Sequence, residues 1–231
     1  MSARSKRVLL AAALAGAAAV VGCGSNNDTI TAIQPVPVAQ LLVVHVSPDA
    51  PKVDVALDGM RIGGSIAYAN ATGYMNEPGA TAHLVVTASS GGARVLDATV
   101  PVAVSTSYSV FACDSLAQLK TLVLTDELSA VPAGQARVRF VNLAAGQPPL
   151  KIAITGGDTL VAGLGFMQSS PWMLLNAGDY DFDVIKGGIV GPYASATGVA
   201  FASERVYTMY VRGKGKSGLP EKAALVQLAH R

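Results

Sequence analysis

The chain has 231 residues, 51% of them hydrophobic and 14% charged, with a formal net charge of +2 and a mean hydropathy of +0.41. Arg4, Lys6 and Arg7 crowd the N-terminus, so the remainder is near neutral, and no basic patch offers the electrostatic footprint of a nucleic-acid binder. Beyond that terminus no apolar run approaches the roughly 20 residues that cross a bilayer as a helix.

The first predicted element is an address. "MSARSKR" is a basic stretch, "VLLAAALAGAAAVVG" an apolar one, and small residues follow, the layout of a secretory signal peptide in helical form. The segment closes on "VVGCGS", where Val20, Gly22 and Cys23 resemble the bacterial lipobox. That resemblance implies cleavage after residue 22 and diacylation of Cys23, with palmitate-type chains. An ordinary cleavable signal followed by a chance cysteine is the alternative. Two or three acyl chains hold a protein at a membrane stably, whereas one is marginal. Residues 23–39, with "GSNNDTITAIQPVPV", read as a lipidated cysteine and a flexible tether running into proline-rich extended chain. Glycine rather than aspartate after Cys23 resembles the pattern sorted to the outer membrane of a Gram-negative host.

After the tether the pattern is that of strands. "QLLVVHV", "VDVAL", "AHLVVTA", "RVLDATVPVAV", "SYSVFA" and "KTLVLTDE" are β-branched runs, punctuated by "SPDAP", "DGMRIGG", "EPGA", "SSGG" and "PAG". In "KVDVALD" the apolar Val53, Val55 and Leu57 alternate with Asp54, Ala56 and Asp58. "DSLAQLK" is either one helical turn or a loop. Cys113 ends an apolar run and, with Cys23 acylated, has no partner for an intrachain disulfide; it reads as a buried, inert thiol.

The pattern is then written a second time. "LVVHVSPDAPKVDVALDG" lies over "RFVNLAAGQPPLKIAITGG" at an offset of 97, so Pro51 falls on Pro148 and Val55 on Ile152. "SIAY" falls on "GLGF", Tyr74 on Trp172, "SYSVFA" on "VYTMYV" with Tyr108 over Tyr207, and "TLVLTDEL" on "ALVQLAH". Two tandem domains follow, at residues 40–129 and 136–231. Turn signals every 8 to 14 residues or so favour all-β, Ig-like or transthyretin-like antiparallel β-sandwiches. The motif R-V-x-H-x-S-P-D-A-P-x-V-D-V-x-x-D-G resembles a bacterial envelope domain of unknown function that occurs in tandem on secreted and lipid-anchored proteins. The first repeat carries the specific portion, "HVSPDAPKVDVALDG"; the second keeps "RVRFVN" and loses H-x-S-P-D. The resemblance implies a β-sandwich envelope module and brings no established activity.

His45, Ser47 and Asp49 are the sharpest candidate ligand or metal residues, with Asp54 and Asp58 nearby. Imidazole and carboxylates bind metal, but Asp54 and Asp58 stand about 13 Å apart along one strand at 3.3 Å per residue, and the second repeat has no such set. The structural alternative makes "SPDAP" a turn stiffened by Pro48 and Pro51, with Ser47 and Asp49 bonding local backbone, and Asp58–Gly59 a hairpin turn. No G-x-S-x-G elbow accompanies a Ser-His-Asp reading. His83 and His230 have no obvious partner, and "GKGKSG" lacks the spacing of a phosphate loop. Tyr108 and Tyr207 suit a corner in which the hydroxyl bonds upstream backbone. Tyr74 and Trp172 form a candidate recognition surface if exposed, and otherwise core or inter-domain packing.

The expectation is a lipid-anchored cell-envelope protein, non-catalytic, binding or structural, with no metal and no cofactor. Its partners would be the membrane, through the anchor, and a cell-wall glycan or an envelope protein. A carbohydrate or peptidoglycan binder, and a metal-dependent or hydrolytic enzyme centred on the H-x-S-P-D turn, are the alternatives.

Overall fold

The computed structural model describes residues 36–213 and 222–230; the expected signal peptide, Cys23, most of the tether and most of "GKGKSG" lie outside the described residues. The first eight strands are β1 (Ala39–Val46), β2 (Val53–Leu57), β3 (Met60–Ile66), β4 (Met75–Glu77), β5 (Thr81–Ala88), β6 (Arg94–Pro101), β7 (Ser107–Cys113) and β8 (Lys120–Asp126), with one 3-10 turn at Leu116–Gln118. They form two four-stranded sheets, ordered β4-β1-β7-β8 and β3-β2-β5-β6. The next nine are β9 (Gln135–Asn142), β10 (Leu150–Ile154), β11 (Thr159–Leu164), β12 (Gln168–Ser169), β13 (Met173–Asn176), β14 (Gly178–Ile185), β15 (Ala194–Phe201), β16 (Arg205–Arg212) and β17 (Ala224–Ala229). These form β12-β9-β16-β17, with β13 also on β9, and β11-β10-β14-β15. The described residues are all-β and sandwich-like, as the alternation and turn spacing predict. The pairing is not uniformly antiparallel, however: β1 runs parallel to β7, and β9 parallel to β16.

The alternation works as expected. Val53, Val55 and Leu57 are buried while Asp54 and Ala56 are half-buried, and each apolar side chain so removed from water contributes about 1.5–3 kcal/mol. At the β2–β3 hairpin Asp58 (φ 47°) and Gly59 (φ 80°) both take the left-handed conformation that such a two-residue turn demands. One core joins the two sheets of the first sandwich around Leu41, Val55, Leu84 and Val110. A second joins those of the other around Phe140, Ile152, Phe182 and Met209.

The strand registers run in step at the offsets read from the sequence. Leu41 pairs with Tyr108 and Val138 with Tyr207, reproducing the offsets of 97 and 99 from the sequence. At β8 and β17 the structure moves the alignment by one residue. Leu124 faces Ser109 and Leu228 faces Thr208, so the equivalent of Asp126 is His230 rather than Ala229. One residue of slip exchanges the two faces of a strand, so this correction decides which side chain points where.

A third cluster lies between the sandwiches. It takes Leu42, Val44, Val46, Phe111 and Cys113 from the first, and Val141, Leu143 and Tyr210 from the second. The sheets containing β1 and β9 therefore pack back to back, which explains why β1 is buried on both faces. Equivalent residues meet there: the Phe111 and Tyr210 rings are 5.9 Å apart, and Asp126 lies 3.9 Å from His230. Starts thus lie with starts and ends with ends, as around a quasi-two-fold axis running along the strands.

Candidate functional site

The H-x-S-P-D turn is assembled, and its imidazole and carboxylate hold backbone. His45 is 3% exposed. Its Nε2 faces the Pro51 carbonyl at 3.2 Å, and its Nδ1 accepts the Ser47 amide at 3.5 Å, which fixes a neutral Nε2–H tautomer. Burial holds its pKa below the ordinary histidine value, against the Pro51 carbonyl, which favours the charged form. The Ser47 hydroxyl donates to Asp49 at 3.4 Å, and the Leu116 amide donates to the same Asp49 oxygen at 2.8 Å. Both imidazole nitrogens are thus engaged, and neither is placed to take a proton from Ser47 or to ligate a metal. Among the described residues no three His, Cys, Asp or Glu side chains stand where they could share an ion.

The duplicate explains the histidine. At the equivalent position, Asn142 Oδ1 accepts the Ala144 amide at 3.0 Å and its Nδ2 donates to the Leu164 carbonyl at 2.9 Å. The His45 and Asn142 carbonyls accept amides from Ala69 and Met167, each at 2.8 Å, and both donors have positive φ. The same task, taking the amide two residues on and reaching a second backbone carbonyl, is done once by imidazole and once by carboxamide. Asp54 bonds the Ser65 amide, Ser89 and Arg61, while Asp58 bonds the His83 amide. The four candidate acids and bases of this stretch form no common site.

Tyr74 and Trp172 are half-buried and turn toward the seam. They flank His230, with ring centroids 6.1 and 6.2 Å from it, and the Arg139 guanidinium lies 4.4 Å from the Trp172 centroid. Both rings are part of the seam rather than an outward platform. Around them runs a closed polar ring. Arg139 Nε donates to the Thr208 hydroxyl (2.9 Å), which meets His230 Nε2 at 2.7 Å, and His230 Nδ1 meets the Tyr74 hydroxyl at 2.7 Å. Tyr74 then donates to Asp126 at 2.6 Å, and Arg139 closes the ring through Asp126 and the Thr125 carbonyl (2.8 Å). Ser109 donates to Asp126 from its own sandwich, as Thr208 serves His230 in the other.

The side chains of Asp126, Arg139 and His230 are 0–2% exposed, so this ion pair depends on its geometry to offset desolvation. Burial lowers His230 to about 4, with Arg139 adding to the effect and Asp126 opposing it. The proton directions around the ring suit a neutral histidine. Burial, with the Asp126 charge, pushes the Tyr74 hydroxyl far above its ordinary range. Cys113, free and buried in the same seam, is pushed up to about 12 by burial and then by Asp114, so it stays a thiol.

The sequence names neither Asp126 nor Arg139 as a site residue, and the partners it withholds from His230 are Tyr74 and Thr208. One signal was available: Arg139 occupies the place of Leu42, a charge set into an apolar strand.

Two hollows open at the ends of the seam. Beside Ala39, where β1 begins, one of about 450 Å³ is lined by Val38, Gln40, Ser107 and Asp126, among others. At the other end of β1, about 25 Å away for eight residues, a cleft of about 490 Å³ lies between the sandwiches. The β7–β8 loop contributes Asp114, Ser115 and Gln118 and the start of β8 Lys120; the second sandwich contributes Gly146, Gln147 and Phe166. Lys120 bonds Asp114 at 2.9 Å and stands 5.6 Å from the centre of the Phe166 ring. Lys186 fixes the Gln147 amide at 2.9 Å. Asp49, through Leu116, holds the loop that forms one wall.

Residues 39–153 match the family model of the domain of unknown function DUF4397. The match begins at β1 and ends in β10, so it takes in the whole first sandwich and the opening of the second. No curated protein sequence matches the chain significantly. Among solved structures, one described as "Alpha-glucan binding by a streptococcal virulence factor" shares 11% identity over 74% of this chain and 92% of its own, with a TM-score of 0.27. A CBM26-family module from Eubacterium rectale Amy13K, in complex with maltoheptaose, shares 9% over 82% and 95%, with a TM-score of 0.26.

Proposed function

We propose that this is a lipid-anchored cell-envelope protein, acylated at Cys23, whose two sandwiches form one locked, non-catalytic binding body. The observation that carries the reading is the pair of equivalent turns. His45 and its neighbours, the strongest catalytic candidates, do the backbone work that Asn142 does in the second sandwich. A cleft open to a ligand lies between the sandwiches, framed by loops that the H-x-S-P-D turn and the seam hold in place. In a Gram-negative host the location is the outer membrane, following Gly24 after the cysteine.

Fractionation tests the anchor. Globomycin is expected to arrest processing of the wild type, and Cys23→Ala to move the protein to the soluble fraction; a variant that fractionates like wild type refutes the anchor. Metal analysis of the purified full-length protein tests the non-catalytic part. A stoichiometric ion lost in both His45→Ala and Asp49→Ala restores the metalloenzyme alternative.

A further inference from the structure

Three features lie beyond the polar ring. Asp58 and Glu77 form a carboxyl pair beside a shallow hollow of about 230 Å³ containing Met60 and Met75, and burial raises Glu77. The pair already binds the His83 and Gly79 amides, so its chemistry is used within the fold. The hollow beside Ala39 has hydroxyls and amides but no aromatic face. The cleft at the far end of the seam has both.

We infer that this cleft binds a neutral oligosaccharide, with the Phe166 ring as its stacking face and the Gln118 and Gln147 amides and Ser115 hydroxyl as its polar contacts. This rests on the binding-body reading above and names the ligand class. Three observations select the class. The volume of about 490 Å³ lies in the range of small-ligand sites and admits a few sugar rings. Among the residues that line the cleft the charges cancel, since the Lys120 ammonium is held by the Asp114 carboxylate at 2.9 Å, while Lys186, behind the wall, is engaged by the Gln147 oxygen and the Tyr193 ring. The groups that remain are carboxamides and a hydroxyl, which both donate and accept, beside an aromatic ring. A pyranose matches that set, with hydroxyls around its rim and an apolar C–H face.

The walls are built to hold their shape, which lowers the entropy lost on binding. Gln147 is fixed by Lys186, and the loop bearing Ser115 and Gln118 is tied to Asp49 by the Leu116 amide. The family signature thus acts at one remove. Asp49 is a positioning residue for the rim.

The test is calorimetric titration of the full-length protein in detergent with malto-, cello- and chito-oligosaccharides, and with a sulfated polysaccharide as the charged control. Binding by at least one neutral series is expected, and none by the polyanion. Phe166→Leu keeps the apolar packing and removes the ring, and is expected to weaken binding about tenfold, the loss of one stacking contact. Gln118→Ala, at an exposed position, is expected to weaken it several-fold without changing the thermal midpoint. Failure of every neutral saccharide to bind, or equal binding by wild type and Phe166→Leu, overturns the assignment. A photo-crosslinker at Gln118 in intact cells separates this failure from failure of the binding-body reading. A specific protein adduct there overturns the saccharide and leaves the cleft as a binding site.

Discussion

His45 stands at the penultimate position of β1 and Asn142 at the last of β9, yet both side chains take the amide two residues on and both carbonyls take an amide from a residue of positive φ. Three residues earlier on the same two strands the equivalence is broken: Leu42 in the first sandwich is Arg139 in the second, and at the ends of β8 and β17 Asp126 answers to His230. The turns diverged in sequence and kept their task. The seam positions diverged into complementary chemistry, an acid on one side and an arginine and a histidine on the other. A homodimer of identical sandwiches has the same groups facing across its axis, and this chain replaces them with a pair that fits only as first against second.

Breaking that complementarity is expected to have the largest effect. Arg139→Ala leaves the Asp126 charge buried without its cation and frees the Thr125 carbonyl, a loss of about 3–5 kcal/mol by urea unfolding. Adding Asp126→Leu on top should recover much of the loss, because an apolar pair of similar volume has no charge to desolvate. If the double variant is as unstable as the sum of the singles, the seam is not held by this pair.

The histidine side of the same contrast is read by pH. His230 falls from its ordinary value of 6.5 to about 4 in the folded state, so between those values the unfolded chain binds more protons. Stability contributed by neutral His230 is full above about pH 6.5 and is lost as pH falls toward about 4. The difference is on the order of 3 kcal/mol. His45, also lowered by burial, acts in the same sense. The expected outcome is a urea midpoint that falls between pH 7 and 5 in wild type and falls less in His230→Gln. Equal slopes in the two proteins remove His230 from the account.

Much of this contrast was legible in the sequence, and the boundary is physical. The strands, the Asp58–Gly59 hairpin and the duplication are local or periodic, so alternation and a fixed offset reveal them. The back-to-back packing left one trace, the unbroken apolar run "LLVVHV", which a strand covered on both faces needs. The parallel pairing of β1 with β7 has no local signature, since it joins segments more than sixty residues apart. The seam ring was illegible for a sharper reason. Aligning "LV" of β8 with "LV" of β17 matches apolar letters and misplaces Asp126 by one, which hides its equivalence to His230. The acid-rich stretch drew attention because its residues are dense in sequence, whereas the ring gathers Tyr74, Asp126, Arg139, Thr208 and His230 from across the chain.

The equivalence of the turns is tested by making the halves alike. His45→Asn installs the second sandwich's solution in the first, and should cost under about 1 kcal/mol, provided the carboxamide reaches the Ser47 amide. His45→Ala leaves that buried amide without its acceptor and should cost about 1–3 kcal/mol. Comparable losses in the two variants would mean that the imidazole does something at this turn that a carboxamide does not.

The smallest effect concerns the corners, where the two halves agree most closely. The Tyr108 hydroxyl accepts the Ala103 amide and the Tyr207 hydroxyl accepts the Ala202 amide, each at 3.1 Å and each five residues upstream. Tyr207 is buried and Tyr108 half-buried, so water can replace the lost oxygen more readily in the first sandwich. Tyr207→Phe should therefore cost about 1 kcal/mol and Tyr108→Phe about half that, measured as shifts in urea midpoint at constant slope. Equal costs would show that the hydrogen bond sets the corner's strength; a larger cost for Tyr207 shows that burial does.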